Sequence, residues 1–307
     1  MTGRTGECRR CAGPVYRTDR FCGSCGAPAT EVKTVTVPGP GRNHAEIAGL
    51  VLITDRGLDH PDNEDAAVAG IVEGLGGHYP AAVAAAVCDG VSTSGDAASA
   101  AVAASTAGAD TMLAALAAAR PGRSAVIAGL TIAAEAAAAV RTNQSVAPSC
   151  TYTAAVVVPG ADGTASITVG NVGDSRAYWL PHDGPGLLLT ADDSVAWELI
   201  DAGLAPDSEA VQAGAHTLTR WLGADADAKP WSEQAVNTVS TTGPGTLVLC
   251  TDGLWNYLPD PNDISKYFAA YEPAGAAREL VDYALRAGGQ DNITVAVIPI
   301  GGPDEFR

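Results

Sequence analysis

From Ala48 onward the chain consists of short apolar runs that end in acidic turns. The runs are AGLVLITD (48–55), AAVAAAVCDG (81–90) and TLVLCTDG (246–253), and DNITVAVIPI (291–300) has the same parts in reverse order. A continuous apolar run of this length between turn residues predicts a buried strand. Segments at roughly 96–119, 123–143, 193–203 and 274–287 predict helices. The pattern therefore predicts a mixed α and β domain with a large core.

Length and charge divide the chain into two unequal parts. The 307 residues, of which 47% are hydrophobic, suit one large domain and a small appendage. Residues 1–43 carry seven Lys or Arg and three acidic residues, a net charge of +4, whereas the remainder carries 11 basic and 32 acidic residues, a net charge of −21. An acidic body repels nucleic acid and anionic membranes, so we expect neither as its partner.

Hydropathy indicates a soluble, cytoplasmic protein. The most apolar segment, residues 97–119, is interrupted by Asp110, so no uncharged run of about 18 residues spans a bilayer. The first ten residues, MTGRTGECRR, lack the apolar core of a secretory signal.

Four cysteines near the N-terminus have the spacing of a metal site. In CRRCAGPVYRTDRFCGSC (8–25), two Cys-x-x-Cys pairs are separated by ten residues, and their members are Cys8, Cys11, Cys22 and Cys25. Two such pairs can close one tetrahedral thiolate site, which predicts a zinc ribbon with one structural Zn²⁺. Disulfides or a redox pair are the alternative, which the missing secretion signal disfavours.

This motif sets the predicted domain organisation. We expect the zinc ribbon at residues 1–28, a linker rich in Pro and Gly at 29–46, and the main domain at 47–302. The ribbon's net positive charge is too small to select nucleic acid, so a protein partner is the preferred interpretation.

Acidic residues mark the ends of the predicted strands in the main domain. Asp89, Asp252 and Asp291 each adjoin an apolar run. Converging strand ends would bring these carboxylates together, and ionised carboxylates share a site only when cations neutralise them. Oxygen ligands without nearby His or Cys favour Mg²⁺ or Mn²⁺.

An ordered set of motifs resembles a known family. The motifs are SCTYTAAVVV (149–158), NVGDSRAY (171–178), LTADDS (189–194), HTLTRWLG (216–223), CTDGLW (250–255) and GGQDNITV (288–295). Together they resemble the metal-dependent protein phosphatases of type 2C, from about Ala48 to Ile300. The resemblance implies an α+β fold, a four-layer α-β-β-α sandwich of two antiparallel sheets flanked by helices, with 96–119 and 123–143 on one side and 193–203 and 274–287 on the other.

The resemblance also implies an activity and a set of site residues. The activity is hydrolysis of phosphoserine and phosphothreonine in phosphorylated proteins by a metal-activated water, with two or three Mg²⁺ or Mn²⁺ ions. By motif, Asp89 would bridge two ions, with the Gly90 carbonyl on one of them, and Asp252 and Asp291 would be direct ligands. The other implied roles are a metal-bound water held by Glu64, an ordering role for Asp65, a third ion at Asp174 and support from Asn292.

Three positions depart from the family pattern. His60 stands where the family places an Arg that grips the substrate phosphate, with Arg56 as a substitute cation. Ser92 and Thr93 occupy a turn that usually holds glycines, and Asn256 replaces an Asp that assists the third ion. The alternative function is therefore a pseudophosphatase, a phosphoprotein-binding or scaffold module with little turnover.

The three remaining cysteines, Cys88, Cys150 and Cys250, adjoin apolar strands and lack the Cys-x5-Arg setting of a thiol phosphatase. We therefore predict that they are small core residues and not nucleophiles.

Overall fold

The computed structural model describes residues 4–8, 10–16, 19, 21–27, 29–37, 39–74, 80–143, 145–160, 163–227 and 229–301. Its strands are β1 (Arg4–Glu7), β2 (Pro14–Tyr16), β3 (Thr30–Val37), β4 (Asn43–Ile47), β5 (Leu50–Asp55), β6 (Ala66–Gly74), β7 (Pro80–Cys88), β8 (Ser149–Cys150), β9 (Tyr152–Pro159), β10 (Thr164–Val172), β11 (Arg176–Pro181), β12 (Leu187–Leu188), β13 (Leu222–Gly223), β14 (Val236–Thr242), β15 (Gly245–Cys250) and β16 (Ile293–Ile300). Its α-helices are α1 (Ala97–Ala117), α2 (Gly122–Ala139), α3 (Val195–Asp201), α4 (Glu209–Ala213), α5 (Asp252–Trp255), α6 (Pro261–Ala270) and α7 (Pro273–Ala287).

Two six-stranded antiparallel sheets pack against each other at the centre of the protein. The strand order is β14-β10-β9-β7-β6-β3 in the first sheet and β12-β11-β15-β16-β5-β4 in the second. Strand β7 shows why the strands are apolar throughout: Val83 and Val87 pack between the sheets, whereas Ala84 and Ala86 pack under the helices. A strand that is buried on both faces has no polar alternation.

Helices cover the outer face of each sheet, which completes the four layers. Met112 and Leu130 of α1 and α2 pack on the first sheet, and Leu280 and Val281 of α7 pack on the second. The predicted α+β fold, a four-layer α-β-β-α sandwich, is therefore confirmed.

The prediction that segment 193–203 belongs to the second helical layer is wrong. Helix α3 in that segment has no fully buried residue and packs with α4. Its aromatic residue Trp197 lines a separate cavity beside Leu189. The layer is completed instead by α6, whose N-terminus is capped by the Asp260 carboxylate accepting the Asn262 N–H.

The predicted linker at 29–46 is largely strand. β3 pairs with β6 from Thr30 to Val37, and β4 pairs with β5, so the segment supplies an edge strand to each sheet. In TEVKTVTV every residue except Glu31 and Lys33 is β-branched, a strand composition that the neighbouring Pro and Gly residues obscured. The packed body therefore begins near Thr30.

Two features of the core bear on the remaining predictions. Cys88, Cys150 and Cys250 are 0% exposed, as predicted for core residues. Among the residues that the structure describes, α1 is long and apolar enough to cross a membrane, but 56% of that window is buried inside the fold. Core helices of soluble proteins have the same composition.

Candidate active site

Acidic residues from both sheets meet at one end of the sandwich. Asp65 precedes β6 and Asp89 follows β7 in the first sheet, whereas Asp252 follows β15 and Asp291 precedes β16 in the second. Asp174 lies in the turn that connects β10 of the first sheet to β11 of the second. The strand ends thus converge in the way that the sequence predicts.

These ends border a cleft of about 480 Å³. The predicted ligands that line it are Asp89, Gly90, Asp174, Asp252 and Asp291. Its remaining lining includes the turn that carries Ser92 and Thr93, so these two side chains border the cleft in place of the usual glycines.

Burial and mutual repulsion raise the pKa values of three carboxylates at the site, Asp65, Asp89 and Asp174. Burial raises the pKa of Asp65 to about 8, with further increases from the charges of Asp291 and Asp252. Burial and then Asp252 likewise raise the pKa of Asp174 to about 8. Burial and then the charge of Asp65 raise the pKa of Asp89 well above its ordinary value. The ionised forms of these carboxylates are therefore unfavourable in the folded protein unless nearby positive charge stabilises them.

The donor atoms fit hard divalent cations. The Oδ1 atoms of Asp65 and Asp252 are buried without a hydrogen-bond partner. An unpaired buried carboxylate oxygen is costly, and a bound cation removes that cost. Because the predicted ligands here are all oxygens, the set suits Mg²⁺ or Mn²⁺.

Hydroxyl groups that sequence reasoning missed hold two of the acids in place. Thr251 Oγ1 donates to Asp65 Oδ2 at 2.9 Å. The Asp89 N–H donates to Thr151 Oγ1 at 3.0 Å, and the Thr151 N–H returns a bond to the Asp89 carbonyl at 2.8 Å. The signal for both threonines was present in CTDG and SCTYT, where each lies inside a motif that adjoins the site.

Asn292 anchors the loop that carries the predicted catalytic residues. Its Oδ1 accepts the Glu64 N–H at 2.7 Å, and its Nδ2 donates to the carbonyls of Arg56 at 2.7 Å and Asp62 at 3.0 Å. One side chain thus fixes loop 56–64 to the start of β16. The predicted support from Asn292 has a physical basis in these three bonds.

The loop places His60 beside Asp291, whereas Arg56 contacts the loop itself. His60 Nε2 lies 3.4 Å from Asp291 Oδ1. The Arg56 guanidinium donates to the backbone carbonyl of His60, so it braces the loop in this conformation. Neither Arg56 nor His60 is among the described residues that line the cleft. The role of Arg56 as a substitute phosphate ligand remains a prediction.

Two more side chains contact Asp252 from the opposite direction. Asn256 Nδ2 donates to Asp252 Oδ2 at 3.3 Å. The family often has a further acid at this position, whereas the Asn256 amide carries no charge. His216 Nδ1 lies 3.7 Å from the same oxygen, and this interaction raises the pKa of His216. His216 lines the cleft and was missed in the sequence because it follows no strand.

Gly57 sets the position of the Asp291 loop. Its φ is +75°, and a Cβ at this position would overlap the Asp291 carbonyl oxygen. We expect Gly57→Ala to lower the free energy of unfolding by about 2 kcal/mol or more, because positive φ and steric overlap both destabilise an alanine. Urea unfolding measures the loss. Gly203→Ala is the matched control, because φ is +93° there but no atom lies close to the added Cβ. An equal loss of stability in Gly203→Ala would show that steric overlap contributes nothing at Gly57.

The N-terminal cysteines form a second candidate metal site. Their four Sγ atoms lie within 4.8 Å of one another, and the Cys8–Cys25 and Cys11–Cys22 pairs are each 3.6 Å apart. A disulfide requires about 2.05 Å, whereas sulfurs of a tetrahedral zinc site lie about 3.8 Å apart. The Ser24 N–H, 3.4 Å from Cys22 Sγ, lowers the pKa of Cys22 to about 6, which favours the thiolate.

Known proteins share the fold and the sequence pattern. The profile of the family described as Protein phosphatase 2C matches residues 73–287. The chain is 28% identical over 259 residues to the serine/threonine protein phosphatase PstP of Mycobacterium tuberculosis, covering 80% of this chain and 44% of PstP. It is 30% identical over 165 residues to probable protein phosphatase 2C 74 of rice, Oryza sativa, covering 50% and 40%. The chain thus spans less than half the length of these curated relatives.

Solved structures agree with this assignment. The PPM Ser-Thr phosphatase MsPP of Mycobacterium smegmatis, in complex with cacodylate, is 28% identical with a TM-score of 0.58, covering 84% of this chain and 100% of MsPP. The catalytic domain of PstP with two manganese ions has a TM-score of 0.52 at 23% identity, covering 87% of this chain and 97% of that domain, and supports the fold. The profile match spans well over half of the chain. The chain therefore belongs to the protein phosphatase 2C family.

Proposed function

We propose that the chain is a metal-dependent hydrolase that removes phosphate from phosphoserine and phosphothreonine in proteins. The observation that carries this proposal is the convergence of Asp89, Asp174, Asp252 and Asp291 from both sheets on one cleft, with Asp65 buried at the adjoining strand end. Their repulsion and unpaired oxygens are consistent with a site built for divalent cations. The M. smegmatis relative, whose name is PPM Ser-Thr phosphatase, supports the same reaction.

The site residues can be assigned roles as ligands of the metal ions. Asp89, the Gly90 carbonyl, Asp252 and Asp291 would hold two Mg²⁺ or Mn²⁺ ions, and Asp174 would hold a third. When bound, such ions lower the pKa of a water molecule and offset negative charge on the phosphoryl oxygens. The three core cysteines are fully buried, so their thiols cannot reach a substrate.

The chain's own side chains position the reactants. Glu64 lies next to Asp65, and its backbone is fixed by Asn292, so its carboxylate can orient a water at the cleft. His60, beside Asp291, supplies an N–H donor for a phosphoryl oxygen. Thr251 holds the Asp65 carboxylate and Thr151 fixes the backbone of Asp89, which is the positioning that such a reaction requires.

We expect His60→Arg to lower KM for a small phosphomonoester about tenfold. A guanidinium can bind phosphate through two charge-assisted bonds, and each hydrogen bond to a charged group contributes roughly 1.5–3 kcal/mol. Steady-state kinetics at saturating Mn²⁺ measure KM. His182→Arg, at an exposed position on the turn after β11, is the matched control. An unchanged KM in the His60 variant would remove His60 from the phosphate site.

We also propose that the four N-terminal cysteines bind one structural Zn²⁺ and that the ribbon recognises a protein partner. Exposed Phe21, 62% accessible, and Tyr16, 38% accessible, support a protein-binding face. Metal analysis under reducing conditions should find about one zinc per chain, and Cys22→Ser should abolish it. Zinc near zero in the unmodified protein would rule out the metal site. A cytoplasmic location and a signalling role remain part of this proposal.

The proposed activity is tested with a phosphothreonine peptide and Mn²⁺. We expect turnover that stops on chelation and in Asp252→Asn but continues in Asp207→Asn, in which the same change falls on an exposed residue. Binding of the peptide without any turnover in the unmodified protein would support the pseudophosphatase instead. Turnover that survives both chelation and Asp252→Asn would contradict the metal mechanism.

A further inference from the structure

The cleft that the carboxylates line also has an apolar part. Val146, Leu218 and Trp221 border the same cavity as Asp89 and Asp252. Val146 is 46% exposed, and the other two are half-buried. These side chains have apolar surface that water covers in the free protein. An apolar group that entered the cleft beside the metal site would remove that surface from water.

Trp221 is held rigidly at this position. Its indole Nε1 donates to Asp225 Oδ1 at 3.0 Å. The next residue, Leu222, is fully buried in β13 and pairs with Cys150 of β8, directly before Thr151. Trp221 and Asp225 also line a second cavity of about 130 Å³. A fixed aromatic wall is a preorganised contact surface.

We propose that Trp221, with Val146 and Leu218, forms a subsite for an apolar side chain next to the phosphorylated residue of the substrate. Trp221 is the specificity-determining residue of this subsite. The inference rests on the proposed phosphatase function and adds the class of phosphoprotein that the cleft accepts: one whose phosphoresidue has large apolar neighbours.

Charge supports apolar rather than acidic neighbours. The described lining of the cleft includes the carboxylates of Asp89, Asp174, Asp225, Asp252 and Asp291. Bound ions offset the acids at the metal site, whereas Asp225 lies on the Trp221 side and is exposed. An acidic residue beside the phosphoresidue would meet this charge and the net −21 of residues 44–307. An apolar neighbour has no such cost and covers the indole.

The experiment compares three short phosphothreonine peptides that carry Leu, Gly or Asp on both sides of the phosphothreonine. For the unmodified protein with Mn²⁺, we expect kcat/KM to fall in the order Leu, Gly, Asp, with Leu over Gly by about tenfold, mainly through KM. Trp221→Ala should reduce the Leu-over-Gly ratio to about twofold or less, mainly by raising KM for the Leu peptide. Trp221→Phe, which keeps a ring, should be intermediate.

Two controls separate this role from a structural one. Trp197→Ala makes the same change at a tryptophan that lines the other cavity, so it should preserve the Leu-over-Gly ratio. A general loss of folding in Trp221→Ala would lower kcat/KM for all three peptides together. The Leu-over-Gly ratio in Trp221→Phe then decides whether the ring contributes to the subsite. Equal kcat/KM for the Leu and Gly peptides in the unmodified protein, or an unchanged ratio in Trp221→Ala, overturns the inference.

The same peptides distinguish failure of the inference from failure of the proposed function. If no peptide is hydrolysed, the phosphatase function fails. The Leu and Gly peptides are then compared by their dissociation constants, Kd. If the Leu peptide binds about tenfold more tightly than the Gly peptide and Trp221→Ala removes this difference, the subsite is supported without turnover. Equal Kd values overturn it.

Discussion

Asp89→Asn should lose phosphatase activity by about 10³-fold or more while its metal-free form is at least as stable as the unmodified protein. The loss follows because divalent ions stabilise the transition state by several kcal/mol, and each 1.36 kcal/mol corresponds to tenfold in rate. The stability follows because Asp89 is a buried carboxyl whose pKa is raised by burial and by Asp65, Asp252 and Asp291. An uncharged amide removes that repulsion.

Hydrolysis of a phosphothreonine peptide and urea unfolding in chelator measure the two effects separately. Asp110→Asn is the matched control, since Asp110 is exposed on α1 and the same substitution should change neither quantity. A marked loss of stability in metal-free Asp89→Asn would mean that Asp89 has a structural partner, and retained activity would remove it from the metal site.

Arg176→Met should lower the free energy of unfolding by about 3–5 kcal/mol, the cost of leaving a buried charge without its partner. The Arg176 guanidinium holds Asp192 through Nε to Oδ1 at 3.1 Å and Nη2 to Oδ2 at 2.7 Å. It also stacks 3.8 Å from the centre of the Trp255 ring. The side chain of Asp192 is 4% exposed, so water cannot replace the guanidinium.

The loss in Arg176→Met should depend on pH. Burial already raises the pKa of Asp192, and removing the guanidinium raises it further. A carboxyl whose folded pKa is raised destabilises the fold as pH increases above its unfolded value of about 4, so the deficit should grow from about pH 4 upward. The double variant Arg176→Met, Asp192→Leu should recover most of the stability.

Denaturant unfolding at several pH values measures this prediction. Lys266→Met is the matched control because it breaks an exposed ion pair with Asp263, and such pairs contribute about 0–1 kcal/mol. Equal losses in Lys266→Met and Arg176→Met, or a deficit that does not change with pH, would contradict the account of the buried pair.

The sequence predicted those parts of the site that depend on apolar runs and the acids at their ends. Asp89, Asp252 and Asp291 each follow or precede a strand that is buried on both faces. Such strands can be recognised in the sequence because they are continuous apolar runs without polar alternation. The ordered motifs then identified the family and the four layers. Local chemistry and motif order therefore carried most of the fold and the ligand positions.

The sequence could not predict features that arise only when distant segments meet. Strands β3 and β4 are edge strands, and their partial exposure produces a polar pattern that resembles a linker. His216 contacts Asp252 across 36 positions, and Trp221 reaches the cleft through the pairing of β13 with β8. Both residues lie in the motif HTLTRWLG, but the motif does not indicate which residues they contact. The bracing of His60 by Arg56 was likewise visible only in the folded loop.

The most direct test of the account is a titration of Mn²⁺ into metal-stripped protein, with bound ions and hydrolysis of a phosphothreonine peptide followed together. The account predicts no hydrolysis before addition, and a rate that rises as at least two ions bind to the main domain. Hydrolysis at full rate in stripped protein, or a main domain that binds no Mn²⁺, would contradict it.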